Sequence, residues 1–236
     1  MTQANRYLLL WLEGPLQSWG HDARFGVRET LHFPTRSGVL GLLCCARGVA
    51  GTEQQWLQQM APMLMEVQAF LPNTSMALSP PILRDFQMVG SGYNAADPWQ
   101  SLLIPKTELG KKAVGGGTKM TYRDYLQDHA FAVALEIPVK QEEMLIAALQ
   151  QPIWDLYLGR KNCVPTELIY QGVYPTLNQA WQCAHQLAKQ KQRALSYVVR
   201  EGQHEGGEIL TLNDVPLQFG EQKRYQERQV TILDVE

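Results

Sequence analysis

The sequence predicts an α+β domain that is close to the ferredoxin-like fold and carries one elaborated loop. The predicted elements follow one another as strand, helix, strand, strand, insertion, strand, helix and strand, an order close to the split βαβ arrangement. Of the 236 residues, 45% are hydrophobic and 19% are charged, a balance that allows a real core. We therefore expect a core over residues 1–175, with an insertion at about 90–120, and a helix with a β-rich extension over 176–236.

The first half of the chain begins with a buried strand and a capped helix. Residues 6–12 are apolar and end before Gly14, which predicts a short buried strand. Thr35 is a suitable N-cap after Pro34, and apolar residues at helical spacing predict a helix from there to about Gly48. Further elements are predicted as a loop at 14–34, a short helix at 53–61 and strands at 63–70 and 82–89.

The second half is irregular at first and then regular. Residues 90–120 show no periodic pattern, and a loop of that length inside a compact domain is commonly functional or disordered. The apolar run at 130–137 predicts a strand, and Asn178 is predicted to cap a helix that runs to about Gln192. The remaining predicted elements are a helix at 141–149, a loop at 152–166, and strands at 168–174, 195–200, 208–212 and 228–234.

Charge and cysteine content narrow the class of protein. The net charge of −2 argues weakly against a free-standing nucleic-acid binder, which is usually basic. The charge is unevenly placed, however, because residues 106–123 hold five basic side chains against one acidic side chain. The four cysteines form no C-x-x-C pair, and no signal peptide or membrane-spanning apolar run is visible. These observations predict a cytoplasmic protein without a membrane segment.

The sequence contains no recognisable catalytic or metal-binding motif. Its five histidines include no H-E-x-x-H, and none has zinc-ligand spacing to a cysteine. The segment VGGGTK at 114–119 lacks the order and the flanking elements of a phosphate-binding loop. We therefore predict no enzymatic activity, no cofactor and no metal.

Basic and aromatic side chains are instead interleaved in the first loop. Aromatic rings stack on the bases of single-stranded RNA, and guanidinium groups contact its phosphates. For Trp19 the alternative is that the ring caps the hydrophobic edge of the sheet. The candidate RNA-binding residues of this loop are Gln17, Trp19, Arg24 and Arg28.

Three further segments have a similar character. Arg36 and Ser37 open the first long helix, whose free N–H groups favour a phosphate, although an ordinary capped helix start is the alternative. The glycine-rich insertion is predicted to be a mobile basic finger, or else a flexible surface loop, and its lysines are Lys106, Lys111, Lys112 and Lys119. The two shorter clusters, which a solvated loop face also explains, are Tyr122 with Arg123, and Tyr157 with Arg160 and Lys161.

Four stretches together resemble a known family. They are LEGPLQSWG at 12–20, HFPTRSGVLGLL at 32–43, TYRDYLQDHAFAVAL at 121–135 and LYLGRKNC at 156–163. In their order and their residues they resemble the CasD family, a RAMP-type subunit of the type I-E CRISPR Cascade. The resemblance runs from about residue 6 to residue 235.

The resemblance implies a fold, a function and partners. It implies a modified ferredoxin-like (RRM-like) core with an extended thumb, which would correspond to the insertion at about 90–120. It also implies a non-catalytic subunit in antiviral defence that caps the 5′ handle of crRNA. The implied neighbours are the backbone subunit and the large subunit of the complex, with target DNA reached only indirectly through the complex.

Two other functions stay open at this point. Relatives in another CRISPR subtype cut precursor RNA without a metal, which requires a general base near the 2′-OH. The residue pairs available for such chemistry are His129 with Lys119, and His21 with Tyr122. A protein-interaction module without RNA contact is the other alternative.

Overall fold

The structure is a computed structural model that describes residues 5–20, 26–73, 80–89, 109 and 119–235. Eleven strands and four α-helices make up most of the regular structure of these residues. The strands are β1 (Arg6–Glu13), β2 (Leu16–Gln17), β3 (Val27–Arg28), β4 (Met65–Pro72), β5 (Leu83–Val89), β6 (Lys119–Gln127), β7 (Ala130–Ile137), β8 (Tyr170–Tyr174), β9 (Arg193–Glu201), β10 (Glu208–Gln218) and β11 (Arg224–Asp234). The α-helices are α1 (Arg36–Arg47), α2 (Gln54–Met60), α3 (Glu142–Gln150) and α4 (Leu177–Gln190).

A seven-stranded antiparallel sheet organises the molecule. Its strand order is β10-β11-β9-β4-β7-β1-β8, so the C-terminal strands extend the sheet that the N-terminal half begins. Successive side chains of a strand point to opposite faces, and both faces of the central strands are covered, so these strands are apolar at successive positions. In β1, Leu8, Leu10 and Leu12 pack in the core that includes residues of α1, α2 and α3. Leu9 and Trp11 pack on the other face, in the cluster that includes the alanines of α4.

A smaller sheet continues from one end of the large sheet. The register of β1 with β7 continues as that of β2 with β6, with a break only at 14–15 and 128–129. Strand β6 also pairs with β3 in parallel and with β5 in antiparallel orientation. We call the pair β5 and β6 the ribbon. Residues 90–118 connect its two strands and, apart from residue 109, lie outside the described residues.

The structure confirms most of the predicted elements and corrects two details. Thr35 is the N-cap of α1, and its Oγ1 accepts a hydrogen bond from the Gly38 amide at 3.1 Å. The cap of α4 is Thr176 rather than Asn178, since the Thr176 hydroxyl accepts from the Gln179 amide. Strand β6 was not predicted as a strand, because its sequence KMTYRDYLQ has no clear apolar face.

The helices of the described residues do not include one that is both long and apolar enough to cross a membrane.

Candidate nucleic-acid interface

The ribbon has two chemically different faces. Successive residues of a strand point to opposite sides, and paired residues on neighbouring strands point to the same side. Arg123 therefore shares a face with Tyr125 and with its register partners, Arg28 in β3 and Asp85 in β5. We call this side of the ribbon the basic face. Among the described residues no ion pair involves Arg28 or Arg123.

Arg160 completes the basic face from a distant part of the chain. Its guanidinium carbon lies 4.7 Å from the centre of the buried Tyr125 ring, a cation–π contact. Its Nη1 donates to the Asp124 carbonyl at 3.1 Å, and its Nη2 donates to the Arg28 carbonyl at 2.7 Å. Three arginines from β3, β6 and the loop after α3 thus converge on one side of the small sheet.

The turn that carries Arg160 is fixed by close packing. Leu158 and Cys163 are buried, and the Leu158 carbonyl accepts from the Ser18 amide at 3.1 Å. Gly159 has a φ of +89°, and a Cβ at this position would lie 1.7 Å from the Ser18 carbonyl oxygen. Only glycine fits here without displacing the turn, which explains the glycine within the local sequence LYLGRKNC.

On the opposite face of the ribbon, an arginine and an aspartate of the two strands form an ion pair. Arg84 donates from Nε and Nη2 to the two carboxylate oxygens of Asp124, at 2.7 and 2.8 Å. These hydrogen bonds hold the pKa of Asp124 below its usual value, so the carboxylate is charged at neutral pH. Both carboxylate oxygens of Asp124 therefore have Arg84 as their partner. The sequence analysis did not predict this pair. Had residues 119–127 been predicted as a strand, Asp124 and Arg123 would have been assigned to opposite faces of it.

Two of the predicted RNA-binding residues of the first loop are buried. Gln17 and Trp19 are 0% and 1% exposed, and their predicted contact with RNA stays a prediction that this burial weighs against. Gln17 donates from Nε2 to the carbonyls of Leu12 and His129, and it accepts from the Trp19 indole at 3.1 Å. The alternative considered for Trp19, packing at the edge of the sheet, is the arrangement observed.

The N-terminus of α1 is paired with a carboxylate of the same chain. The Arg36 amide donates to Asp214 Oδ2 at 2.7 Å, so a carboxylate of this chain already occupies the helix N-terminus. The Arg36 side chain is 2% exposed and contacts Glu201 and the carbonyls of Met60 and Met63. Its predicted contact with RNA stays a prediction that this burial weighs against.

Burial lowers the pKa of Arg36, and the carboxylates of Glu201 and Asp214 oppose that effect. Ser37 is half-buried, and its hydroxyl contacts Thr35 Oγ1 at 3.4 Å. The predicted contact of Ser37 with a phosphate stays a prediction, with Asp214 beside the same helix start.

The remaining predicted residues are spread over several positions. Tyr122 is exposed but lies on the face opposite to Arg123, beside Phe86 with ring centres 5.3 Å apart. Tyr157 is half-buried, with its hydroxyl 3.9 Å from the Cys45 thiol, and burial raises its pKa. Lys161 is exposed next to Arg160. Four predicted residues lie outside the described part of the chain: Arg24, Lys106, Lys111 and Lys112. For Lys119 the structure describes the backbone but not the side chain.

Of the groups considered for RNA cleavage, the structure describes His129 and Tyr122, while His21 and the Lys119 side chain lie outside the described part. His129 is 2% exposed, and its Nδ1 lies 2.7 Å from the Gln127 carbonyl. Burial lowers the pKa of this histidine. A general base must reach its substrate, so His129 is not available for this role in the observed conformation. The described residues also contain no group of three or more side chains suited to hold a metal ion.

Comparison with known families identifies the chain. Residues 7–231 match the model of a family described as CRISPR-associated protein (Cas_Cas5), which covers nearly the whole sequence. The chain belongs to the Cas5 family. Within that family it is similar to the CRISPR system Cascade subunit CasD of Escherichia coli (strain K12), with 30% identity over 174 residues and 70% of each chain covered. The resemblance seen in the four sequence stretches is confirmed.

Solved structures agree with this family. A chain of a CRISPR RNA-guided surveillance complex matches 98% of this chain and 90% of its own length, with a TM-score of 0.71 and 27% identity. A structure described as a Cas protein matches 97% of this chain and 94% of its own length, with a TM-score of 0.58 and 26% identity. The mixed α/β architecture with a large antiparallel sheet is therefore a Cas5 fold, and this chain is a CasD-like Cas5 protein.

Proposed function

We propose that this Cas5 protein is an RNA-holding subunit of a CRISPR Cascade surveillance complex and that it grips the 5′ handle of the crRNA. The observation that carries the proposal is the convergence of Arg28, Arg123 and Arg160 on the basic face. Only Asp85 offers a carboxylate there among the register partners of Arg123. Such a cluster attracts the phosphates of a nucleic acid whatever its base sequence, and a single RNA strand can lie across it.

The topology of the large sheet supports a ferredoxin-like core beneath this face. Strands β1, β4, β7 and β8 are arranged as β4-β7-β1-β8, with α1 after the first of them and α3 after the third. This is a βαββαβ order with antiparallel neighbours, as in the split βαβ fold. The ribbon and the residues between its strands then correspond to the extended thumb.

The proposal assigns the chain a binding role and no chemical step. Guide sequence would be read by base pairing in the complex, and the protein would hold the RNA by its backbone. The partners are crRNA, a backbone subunit and the large subunit, with target DNA engaged through the complex. The burial of His129 weighs against the endoribonuclease alternative, which incubation of the purified protein with repeat RNA in the absence of metal tests directly.

Reversing the charge of Arg28 and Arg123 is the test of the RNA contact. In complexes assembled by co-expression of the full chain with the other subunits and guide RNA, we expect Arg28→Glu/Arg123→Glu to lower RNA retention about tenfold or more. The dependence of retention on salt should also weaken, since each lost phosphate contact removes about 0.7 from the logarithmic slope for a single strand. Arg160 is kept, because its hydrogen bonds also hold β3 and β6.

The matched control is Lys223→Glu/Arg224→Glu, which changes the net charge equally. Both residues are exposed, and Arg224 begins β11, which pairs with the edge strand β10 of the large sheet. This variant should retain RNA as the wild type does. Equal retention and equal salt dependence in the wild type and the Arg28/Arg123 variant would refute the proposed interface.

A further inference from the structure

The large sheet and the small sheet meet at a junction where the strand pairing is interrupted. Two segments cross this junction, residues 14–15 between β1 and β2, and residues 128–129 between β6 and β7. Within it the Asp128 amide donates to the Pro15 carbonyl at 3.2 Å, and Asp128 has a left-handed φ of +52°. An interrupted ladder allows a strand to bend, so the angle between the two sheets depends on contacts made by side chains at the junction.

One side of the junction is bridged by a buried amide. Gln17 is 0% exposed, and its Nε2 donates to the carbonyl of Leu12 in β1 and to the carbonyl of His129 in the second crossing segment. Its Oε1 accepts from the indole of Trp19, which belongs to the core that includes residues of α1. Gln17 therefore joins the two crossing segments on the α1 side of the sheet.

The other side of the junction is bridged by an ion pair. Glu13 ends β1, and its Oε2 accepts at 2.7 Å from the indole of Trp11, which packs in the cluster that includes the alanines of α4. Arg193, the first residue of β9, donates to Glu13 Oε1 from Nε at 2.9 Å and from Nη2 at 2.7 Å. Its Nη1 donates to the Asp128 carbonyl at 2.9 Å. One guanidinium thus contacts the end of β1 and the segment between β6 and β7.

The ion pair is shielded from water and remains charged. The side chains of Arg193 and Glu13 are only 11% and 14% exposed. Burial alone would raise the pKa of Glu13, but hydrogen bonds from Trp11 and Arg193 outweigh it and hold this pKa below its usual value. Hydrogen bonds between charged groups are shorter and stronger than those between neutral groups, so this pair is well suited to fix an angle.

Glu13 also contacts the loop that carries Arg160. The Glu13 carbonyl accepts from the Thr166 amide at 2.9 Å. Lys191 Nζ lies 3.5 Å from Glu13 Oε2 and also pairs with Glu167 of the same loop. The two connections between the large sheet and the basic face, one through β6 and one through this loop, therefore both meet the ion pair.

We propose that Glu13 and Arg193 form a junction clamp that sets the angle between the two sheets and thereby positions the basic face. Without the clamp, Gln17 bridges one side of the junction only, and the small sheet is free to swing about that side. Both residues are positioning residues, since they lie at the junction and not on the basic face. The effect of the clamp on RNA rests on the proposed function, whereas its effect on the angle does not.

A distance between the two sheets tests the clamp in the isolated full-length chain. Spin labels carried by unnatural amino acids, which leave the four native cysteines intact, replace the exposed residues Phe86 of β5 and Gln186 of α4. Double electron–electron resonance should give one narrow distance distribution for this labelled chain. We expect Arg193→Met, which removes all three hydrogen bonds at similar side-chain length, to broaden or displace that distribution. An unchanged distribution would overturn the proposal.

The matched control is Arg47→Met, which removes an arginine of similar burial from another ion pair. Arg47 is 15% exposed and lies 3.3 Å from Glu53, at the connection between α1 and α2. It should leave the distance distribution unchanged even where it lowers the melting temperature, and an equal displacement would show that general destabilisation is the cause. Glu13→Gln is the milder variant, since it keeps the size of the side chain and removes its charge. It should displace the distribution in the same direction as Arg193→Met, and a wild-type distribution would contradict the clamp.

RNA retention in the assembled complex separates the clamp from the proposed function. Arg193→Met should lower retention severalfold by displacing the basic face, whereas Arg28→Glu/Arg123→Glu lowers it by removing phosphate contacts. If Arg193→Met displaced the sheets but retained RNA as the wild type does, the clamp would not position the basic face. If the Arg28/Arg123 variant also retained RNA, the proposed function would fail, while the distance measurement would still decide the clamp.

Discussion

Replacing Asp214 by alanine is expected to lower the free energy of unfolding by about 3–5 kcal/mol, because it breaks a buried ionic cluster by removing one partner. Asp214 is 2% exposed and accepts from Arg228 Nε at 2.6 Å and Nη2 at 2.9 Å. It also accepts from the Arg36 amide. Without it, Arg228 keeps only Glu201 among these carboxylates, and α1 loses a charged partner at its N-terminus.

Chemical denaturation of the isolated chain measures this effect through the urea midpoint and its slope. The neighbouring substitution Asn213→Ala is the control, since Asn213 is exposed on the same strand. It should change stability by less than about 0.5 kcal/mol. A loss below about 1 kcal/mol for Asp214→Ala would mean that the cluster contributes little and that β10 and β11 are held by their backbone pairing alone.

The same cluster shows why the role of Arg36 could not be predicted from the sequence. The local signals around it, Pro34 and Thr35 before an apolar helical repeat, predict the start of α1 well. The carboxylate partners of Arg36 lie 165 and 178 residues further along the chain, in β9 and β10. No local pattern contains that information, so the helix start resembled a free phosphate site when it was already occupied.

The residues that carry the family resemblance also divide into two kinds. Gln17, Trp19 and Gly38 are needed for packing, since a Cβ on Gly38 would lie 2.9 Å from the Trp19 ring. Arg123 and Arg160 are half-buried, and they share one face because β3 pairs with β6 and Arg160 donates to a carbonyl of each strand. A basic or aromatic residue inside a strong motif therefore does not by itself indicate contact with a ligand.

The two-faced ribbon was hidden for a related reason. A strand that packs one face on a core alternates between apolar and polar residues, whereas a strand with both faces covered, such as β1 or β7, is a continuous apolar run. In β6, both faces are partly exposed near the tip, and both carry aromatic residues. The apolar–polar periodicity of β6 is therefore weak. The sequence analysis placed Tyr122 and Arg123 in one basic–aromatic cluster only because they are adjacent in the sequence, although they point to opposite faces of the strand.

Gly159→Ala is expected to destabilise the chain by about 2–5 kcal/mol and to reduce RNA retention in the complex together with stability. The φ of +89° is strained for alanine, which contributes about 1–3 kcal/mol. The new Cβ would also overlap the Ser18 carbonyl oxygen at 1.7 Å, and relief of such overpacking contributes a similar amount. The turn must therefore move away from β2, and Arg160 must leave its positions beside Tyr125 and the Arg28 carbonyl.

Gly202→Ala separates the two causes. Gly202 has a nearly identical φ of +85°, but a Cβ there would meet no atom within 4 Å. It should therefore show the backbone strain alone, with normal RNA retention. If thermal unfolding and RNA retention were the same for Gly159→Ala and Gly202→Ala, the contact with Ser18 would not be what positions Arg160. If instead Gly159→Ala loses RNA under conditions where the variant is still folded, the packing of one turn against β2 controls the basic face through a residue that itself contacts no RNA.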